Sequence, residues 1–349
     1  MAMLAGLFAS CKGNDRRPAE GRINPLAAAL PGDTVSALGN NICSMTEDRN
    51  GNFWFASNGE GAFVYDGKIL RNIRMKHGLC SDNVLSIRED KNGTLWFSAG
   101  SGNCTWNGHL FSNVTEWMKN AAEGSPVFSE SGLVFNLQNS QCYYNGLAFC
   151  RFNIHPATYH PPANDLNRPY QIYSYLVDSS GTAWFGTQSE GVARFEGKKI
   201  SYITGKNLNG PAVRTIFRDR AGMMWFGNNG GGLFRFDGKN LRNITMENGL
   251  GNPAFLEGRL TGNVNSLARV WTINEDSNGK LWIGTIDAGL WTISGERLHH
   301  FNTAKGLPGN SVWASCKDRS GNLWFVFEGK YVVKWNGQNF ESFSFAGRK

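Results

Sequence analysis

One phrase recurs along this chain and limits what the chain can become. At 219–239 it reads DRAGMMWFGNNGGGLFRFDGK, that is Asp-x-x-Gly-x-x-Trp-Phe-Gly, a Gly-rich gap, and an apolar run ending in Asp-Gly. It returns with its anchor at Trp54, Trp96, Trp184, Trp225, Trp282 and Trp324, and a worn copy, SESGLVFNLQNSQCYYNG, puts Phe135 in the same slot. Successive anchors are 42, 39, 49, 41, 57 and 42 residues apart. A fixed period of this size marks an array of supersecondary units, none of which can cover its own apolar faces.

Each copy parses into four strands. Strand A is an alternating run ending in Asp, such as NVLSIRED or VWTINED. The Asp-x-x-Gly turn follows: Asp bonds its own backbone two residues on, and Gly supplies positive φ. Strand B is LWFGT or its equivalent, and strand C is GLFRFD, closed by the Asp-Gly or Asn-Gly signal of a hairpin. Strand D is NLRNITM or NFESFSF. No copy carries a 3.6-residue apolar stripe, which excludes helical repeats.

Seven four-stranded units stacked radially predict an all-β, seven-bladed β-propeller with four antiparallel strands per blade. The Trp of strand B is then the wedge between neighbouring blades. The ring occupies 35–349 as one domain, after a signal-like segment (1–11) and a tether (12–34). The first copy starts at strand A and the last ends at strand D, so no swapped strand is expected to lock the ring.

Strand parity assigns the loops to faces. A–B and C–D turns share one face; B–C and D–A connections share the other. The second face carries the length variation, including 152–170 and 247–269, so the ligand site is expected there. Strand A lines the central channel, and its second residue varies around the ring: Cys43, Leu85, Tyr173, Arg214, Trp271 and Trp313. Tyr173, Arg214, Trp271 and Trp313 could stack on a flat or sugar-like ligand and hold an anionic group; blade-to-blade packing explains the large residues equally well. The B–C residues Glu60, Gln188, Glu190, Asn228, Asn229 and Asp287, expected to be exposed, would add hydrogen bonds.

Composition narrows the alternatives. There are 43 Gly among 349 residues but only 11 Pro, with 12 Trp, 23 Phe and 18% charged residues, as expected of many short strands and tight turns. The net charge of +7 comes from Lys and Arg that never form a run, so no nucleic-acid partner is expected. No stretch approaches the roughly 20 apolar residues of a membrane-spanning helix. At the start, LFASC resembles a bacterial lipobox, implying export and lipid attachment at Cys11. Phe8 in place of the usual Leu, a short apolar run and the lack of an initial Lys or Arg depart from that pattern, and a chance Cys in a tail is the other reading. Export would make the remaining Cys candidates for pairing. Cys142 and Cys150 are expected opposite each other in a hairpin centred on Gly146, and Cys80 and Cys104 on one face.

Catalytic signals are sparse. Of six His, only His155 and His160, near Asp165, form a candidate base or metal cluster. DRNGN, DKNGT and DSNGK lack the further ligands of a calcium loop, and GNNGGGL lacks the Lys of a phosphate loop. Neither cofactor nor metal is expected.

EDRNGNFWFASNGEGAFVYDGK (47–68), DSSGTAWFGTQSEGVARFEGK (178–198) and the copy at 219–239 resemble the two-component regulator propeller repeat. That resemblance implies a sensor propeller of the bacterial periplasm, concerned with glycans, and it carries no fixed ligand residues. The expectation is a non-catalytic binding or sensory module, periplasmic or held at a membrane surface by lipid alone, with a small-molecule, glycan or protein partner. A seven-bladed lyase resembling streptogramin lyase, using His155, His160 and Asp165, and a protein-interaction scaffold are the alternatives.

Overall fold

The computed structural model describes residues 30–345, apart from 100–101, 138–139, 157, 161–167, 260–261 and 329–330. It is a seven-bladed antiparallel β-propeller, built from consecutive sheets. Strands A are Ile42–Glu47, Val84–Glu89, Ile172–Val177, Val213–Arg218, Val270–Glu275 and Val312–Lys317 in blades 1, 2, 4, 5, 6 and 7. Strands B, C and D follow in order outward in each, as in blade 5 with Met224–Asn228, Gly232–Phe236 and Leu241–Asn243.

The anchor Trp explains both the period and the phrase. Each packs into the next blade: Trp54 lies with Val84, Ile87 and Phe97, and Trp282 with Val312 and Phe325. Taking an indole out of water removes about 200 Å² of surface, worth about 5 kcal/mol. Its N–H must then find an acceptor, and the turn Asp supplies it. Nε1 of Trp54, Trp96, Trp184, Trp225, Trp282 and Trp324 donates to Oδ2 of Asp48, Asp90, Asp178, Asp219, Asp276 and Asp318 at 2.8, 3.0, 3.3, 2.8, 3.0 and 2.8 Å. The other oxygen holds the turn: Asp48 Oδ1 accepts from the backbone N–H groups of Asn50 and Asn52 at 2.8 and 2.9 Å. The Asp-to-Trp spacing of six residues is therefore a covalent measure of this bond. The Gly after Trp-Phe lets blades close up: a Cβ on Gly227 would lie 2.4 Å from Val270 Cγ1, on strand A of the next blade.

The third blade is where the phrase wears out, and the sheet thins with it. Its described strands are B (Leu133–Asn136), C (Gln141–Tyr144) and D (Phe149–Phe152). Ser129 replaces Asp and Phe135 replaces Trp, so donor and acceptor are lost together. The incoming chain lies against the outer strand instead: Gly124 N–H donates to Arg151 O and Arg151 N–H to Ala122 O, both at 2.9 Å. Across the thinned position Arg88 of blade 2 stacks on Tyr175 of blade 4, with Cζ 4.6 Å from the ring centroid.

The ring closes without strand exchange. Asp33–Val35, inside the stretch read as tether and boundary, pairs with Leu70–Ile73 as a fifth strand on the outside of blade 1. Blades 7 and 1 join through side chains: Leu38, Ile42, Phe55 and Phe63 pack with Trp324, Val326 and Phe345. Among the described residues no helix is long and apolar enough to cross a membrane. The lipobox-like segment and Cys11 lie outside the described residues.

One expected pairing is corrected. Cys150 stands opposite Tyr143, and Cys142 opposite Arg151. The hairpin loop spans Asn145–Ala148 rather than centring on Gly146, because the Asn145 carboxamide accepts from Leu147 N and Ala148 N, both at 2.8 Å. A one-residue offset places the two thiols on opposite faces. Cys80 and Cys104 do meet, with Cys80 N–H 3.4 Å from Cys104 Sγ.

Candidate functional site

The variable channel residues occupy a special backbone position. In all six described strands A the ladder slips by one residue at the same place: Ile42 pairs with Ser57 and Ser44 with Ala56, leaving Cys43 unpaired. Leu85, Tyr173, Arg214, Trp271 and Trp313 sit in the equivalent slips. A bulge frees one residue from the ladder and redirects its side chain. The repeat thus builds a ring of re-aimed side chains at the start of strand A, on the face with the long loops.

Four of these residues form one continuous row over blades 4 to 7. Arg214 Cζ lies 4.1 Å from the Tyr173 ring centroid and 4.4 Å from that of Trp271. Trp271 in turn meets Trp313 edge-on, with centroids 6.0 Å apart at 79°. Tyr173 is 37% exposed and Leu85 46%, so the row opens to solvent at one end. At the other end, Trp313 walls a cavity of about 240 Å³ at the seam of blades 7 and 1, together with Asn40, Asn41, Phe327 and Glu328. Burial presses Arg214 below the usual arginine range, while Tyr173 and Cys43 act the other way and Arg269 adds to the lowering. Burial pushes the Cys43 thiol up, against Asn58 N–H and the Arg214 charge.

The B–C residues have more structural work than expected. Asn228 is fully buried, donating to Leu208 O at 3.0 Å and accepting from Gly231 N at 2.8 Å. Glu60 accepts from Asn40 N at 2.7 Å and faces Arg74 at 3.6 Å. Gln188 reaches Pro211 O at 3.4 Å, and Glu190 N–H donates to Thr187 Oγ1 at 2.8 Å. Asn229 and Asp287 meet through Arg269, which the sequence reading missed: its Nε donates to Asn229 Oδ1 at 3.1 Å, and its Nη1 is 3.7 Å from Asp287. Arg269 also covers Phe255 of the 247–269 connection at 4.4 Å. Burial raises the Asp287 carboxyl, with Arg269 pulling against it. None of these six B–C residues is freely exposed. The signal for Arg269 was its register, two residues before the bulge, where Asn41, Asn83 and Gln171 are also polar.

Among the described residues the two histidines have separate partners. His155 lies in an aromatic group with Tyr159 and Tyr170, at centroid distances of 5.3 and 5.9 Å. His160 Nδ1 is 3.1 Å from Thr158 O. Asp165 lies outside the described residues. Among the described residues no three His, Cys, Asp or Glu side chains gather as metal ligands would.

Residues 36–59, 78–101, 265–287 and 306–329, each spanning strand A, the Asp turn and strand B, match the model of the two component regulator propeller. These four stretches carry the two-component regulator propeller repeat. Its fold also matches the extracellular domain of a protein described as hybrid two component system BT4673 from B. thetaiotaomicron. That match has a TM-score of 0.59 at 16% identity and covers 88% of this chain and 40% of that one, so this chain spans two-fifths of the longer domain. A streptogramin B lyase matches with a TM-score of 0.60 at 13% identity, over 89% of this chain and 97% of the enzyme. The WD40 propeller domain of Doa1 matches at 0.56 and 10% identity, over 87% and 96%. At such identities these likenesses concern the fold alone. Among curated proteins none matches significantly.

Proposed function

We propose that this regulator propeller is a ligand-binding, sensory module outside the cytoplasm, and that it takes a small molecule or glycan over the mouth of its channel. The observation that carries the reading is the bulge at the same strand-A residue in six blades, with four of those residues stacked as Tyr173–Arg214–Trp271–Trp313. Packing alone asks for no break in the ladder. A repeated bulge that gathers aromatic side chains at the start of strand A suits a flat or ring-shaped ligand, which gains stacking on arrival. The extracellular location of the B. thetaiotaomicron relative and the repeat family support a sensory role. The test is a thermal-shift and calorimetric screen with glycan fragments on the intact chain. A ligand whose affinity falls at least about tenfold in Trp271→Ala and Trp313→Ala supports the mouth; an affinity unmoved by both overturns it.

A further inference from the structure

The row of stacked residues contains one charge, and its surroundings say what that charge awaits. Arg214 sits between Tyr173 and Trp271, which come from the blades on either side and cover it with their ring faces. Stacking uses the face of a guanidinium and leaves its N–H groups, which lie in the plane, free to donate. Arg214 Nε is buried and has no hydrogen-bond partner. Among the described residues no carboxylate forms an ion pair with Arg214; the titratable groups around it are Tyr173, Cys43 and a second cation, Arg269. Arg269 differs in being tied to Asn229 and Asp287.

An unpaired, half-buried cation costs free energy unless something anionic arrives. Aromatic faces stabilise the cation in part and direct its edge. Resting on the reading of the mouth as a binding site, we infer that the regulator propeller selects a ligand whose sugar-sized ring bears one anionic group, a carboxylate or a sulfate, held edge-on by Arg214 while the ring lies against Trp271 and Trp313. The seam cavity beyond Trp313 leaves room for the rest of the molecule. An anion at Arg214 would meet a guanidinium that, among the described residues, no carboxylate pairs.

Three probes of one shape separate the sources of charge: methyl β-glucoside, methyl β-glucuronide and methyl β-glucoside 6-sulfate, titrated by calorimetry or NMR into the intact chain. At least one acidic probe is expected to bind about tenfold or more tightly than the neutral glucoside. Preference for glucuronide or for sulfate identifies the anion. Arg214→Gln should bring the acid down to the level of the glucoside and leave the glucoside unchanged, and Arg214→Lys should fall between, since it keeps the charge without the planar edge. Thermal unfolding of each variant checks that the fold is intact. Equal affinity for acid and neutral probes, or binding of neither, overturns the assignment. Acid and neutral probes that bind equally, both unmoved by Arg214→Gln but lost in Trp271→Ala, sink the acid while keeping the mouth. Acid binding unmoved by both variants sinks both readings.

Discussion

Arg319 and Glu47 stand 272 positions apart in the chain, yet Arg319 N–H donates to Glu47 Oε2 at 2.7 Å. The Arg319 guanidinium also reaches Arg49 O. The same clasp joins other seams: Arg49 N–H to Glu89 Oε2 at 2.7 Å, and Arg220 N–H to Glu275 Oε2 at 3.1 Å. It pairs the residue after one turn Asp with the residue before the next. The ring is thus closed by the same means that joins its neighbouring blades.

If the seam is an ordinary joint, Glu47→Ala should cost about 1 kcal/mol, the scale of an exposed charge-assisted bond. Glu89→Ala should cost the same within error. Chemical unfolding of both variants reads this, and a several-fold larger loss at Glu47 would make the seam a weak point unlike the others.

Asp276 is 3% exposed and Trp282 1%. Asp276→Ala leaves the buried indole N–H without an acceptor, at a cost of about 2–3 kcal/mol. Trp282→Phe in the Asp276→Ala background should recover part of that loss, giving a coupling of about 1 kcal/mol or more in a double-mutant cycle. In the third blade Phe135 has no N–H to satisfy, and Ser129 Oγ lies 3.1 Å from the Tyr143 hydroxyl instead, so Ser129→Ala should cost about 1 kcal/mol, less than the loss at Asp276. Additive losses at 276 and 282 would refute the bond.

Two of the turn Asp residues, Asp178 and Asp318, also set an acid limit. For Asp318, burial raises the carboxyl, but bonds from Trp324 and Asn322 outweigh it and hold it below its ordinary range. Asp178 is likewise lowered, with Ser180 and Trp184 overcoming burial. In the surface turn at Asp237, backbone and side-chain bonds from Asn240 take the carboxyl to about 2. Depressed native values mean that the unfolded chain binds more protons as pH falls through the carboxylate range. Stability should therefore be fully present above about pH 4, the unfolded value, and fall as the pH drops through the native ones. Asp318→Asn should flatten that fall in pH-dependent unfolding; a slope unchanged by it would contradict the argument.

Oxidation should distinguish the two cysteine pairs. Cys80 and Cys104 touch, and hydrogen bonding between the thiols raises Cys104 and lowers Cys80, which favours a thiolate at Cys80 as the attacking group. Mild oxidant followed by peptide mapping should yield a Cys80–Cys104 link and no Cys142–Cys150 link. Recovery of the second link would mean that the hairpin register differs from the one described.

Blade number, strand order and the wedge role of Trp were legible because the phrase repeats with few changes. The Asp-to-Trp bond was missed, although its spacing was in view, because a turn Asp is already explained by its own backbone. The Cys142 hairpin slipped by one residue because the extent of an Asn-Gly loop is decided by side-chain bonds at Asn145, not by symmetry about the glycine. The ring of channel residues was found by alignment, but the bulge that gives it meaning is a feature of pairing, which one strand cannot display. The B–C side chains read as exposed because they are polar; Asn228 and Asp287 are instead enclosed by the D–A connection that leads into their own blade, through Leu208 and Arg269.

Blade 3 gives the molecule an orientation. A shaft walled by seven equivalent staves would present any guest with seven equivalent seats, and occupancy would be shared among them. Thinning one stave, and bridging the gap with Arg88 and Tyr175, cuts a keyway. Together with the differing bulge residues around the channel, this leaves the inner wall with no sevenfold symmetry.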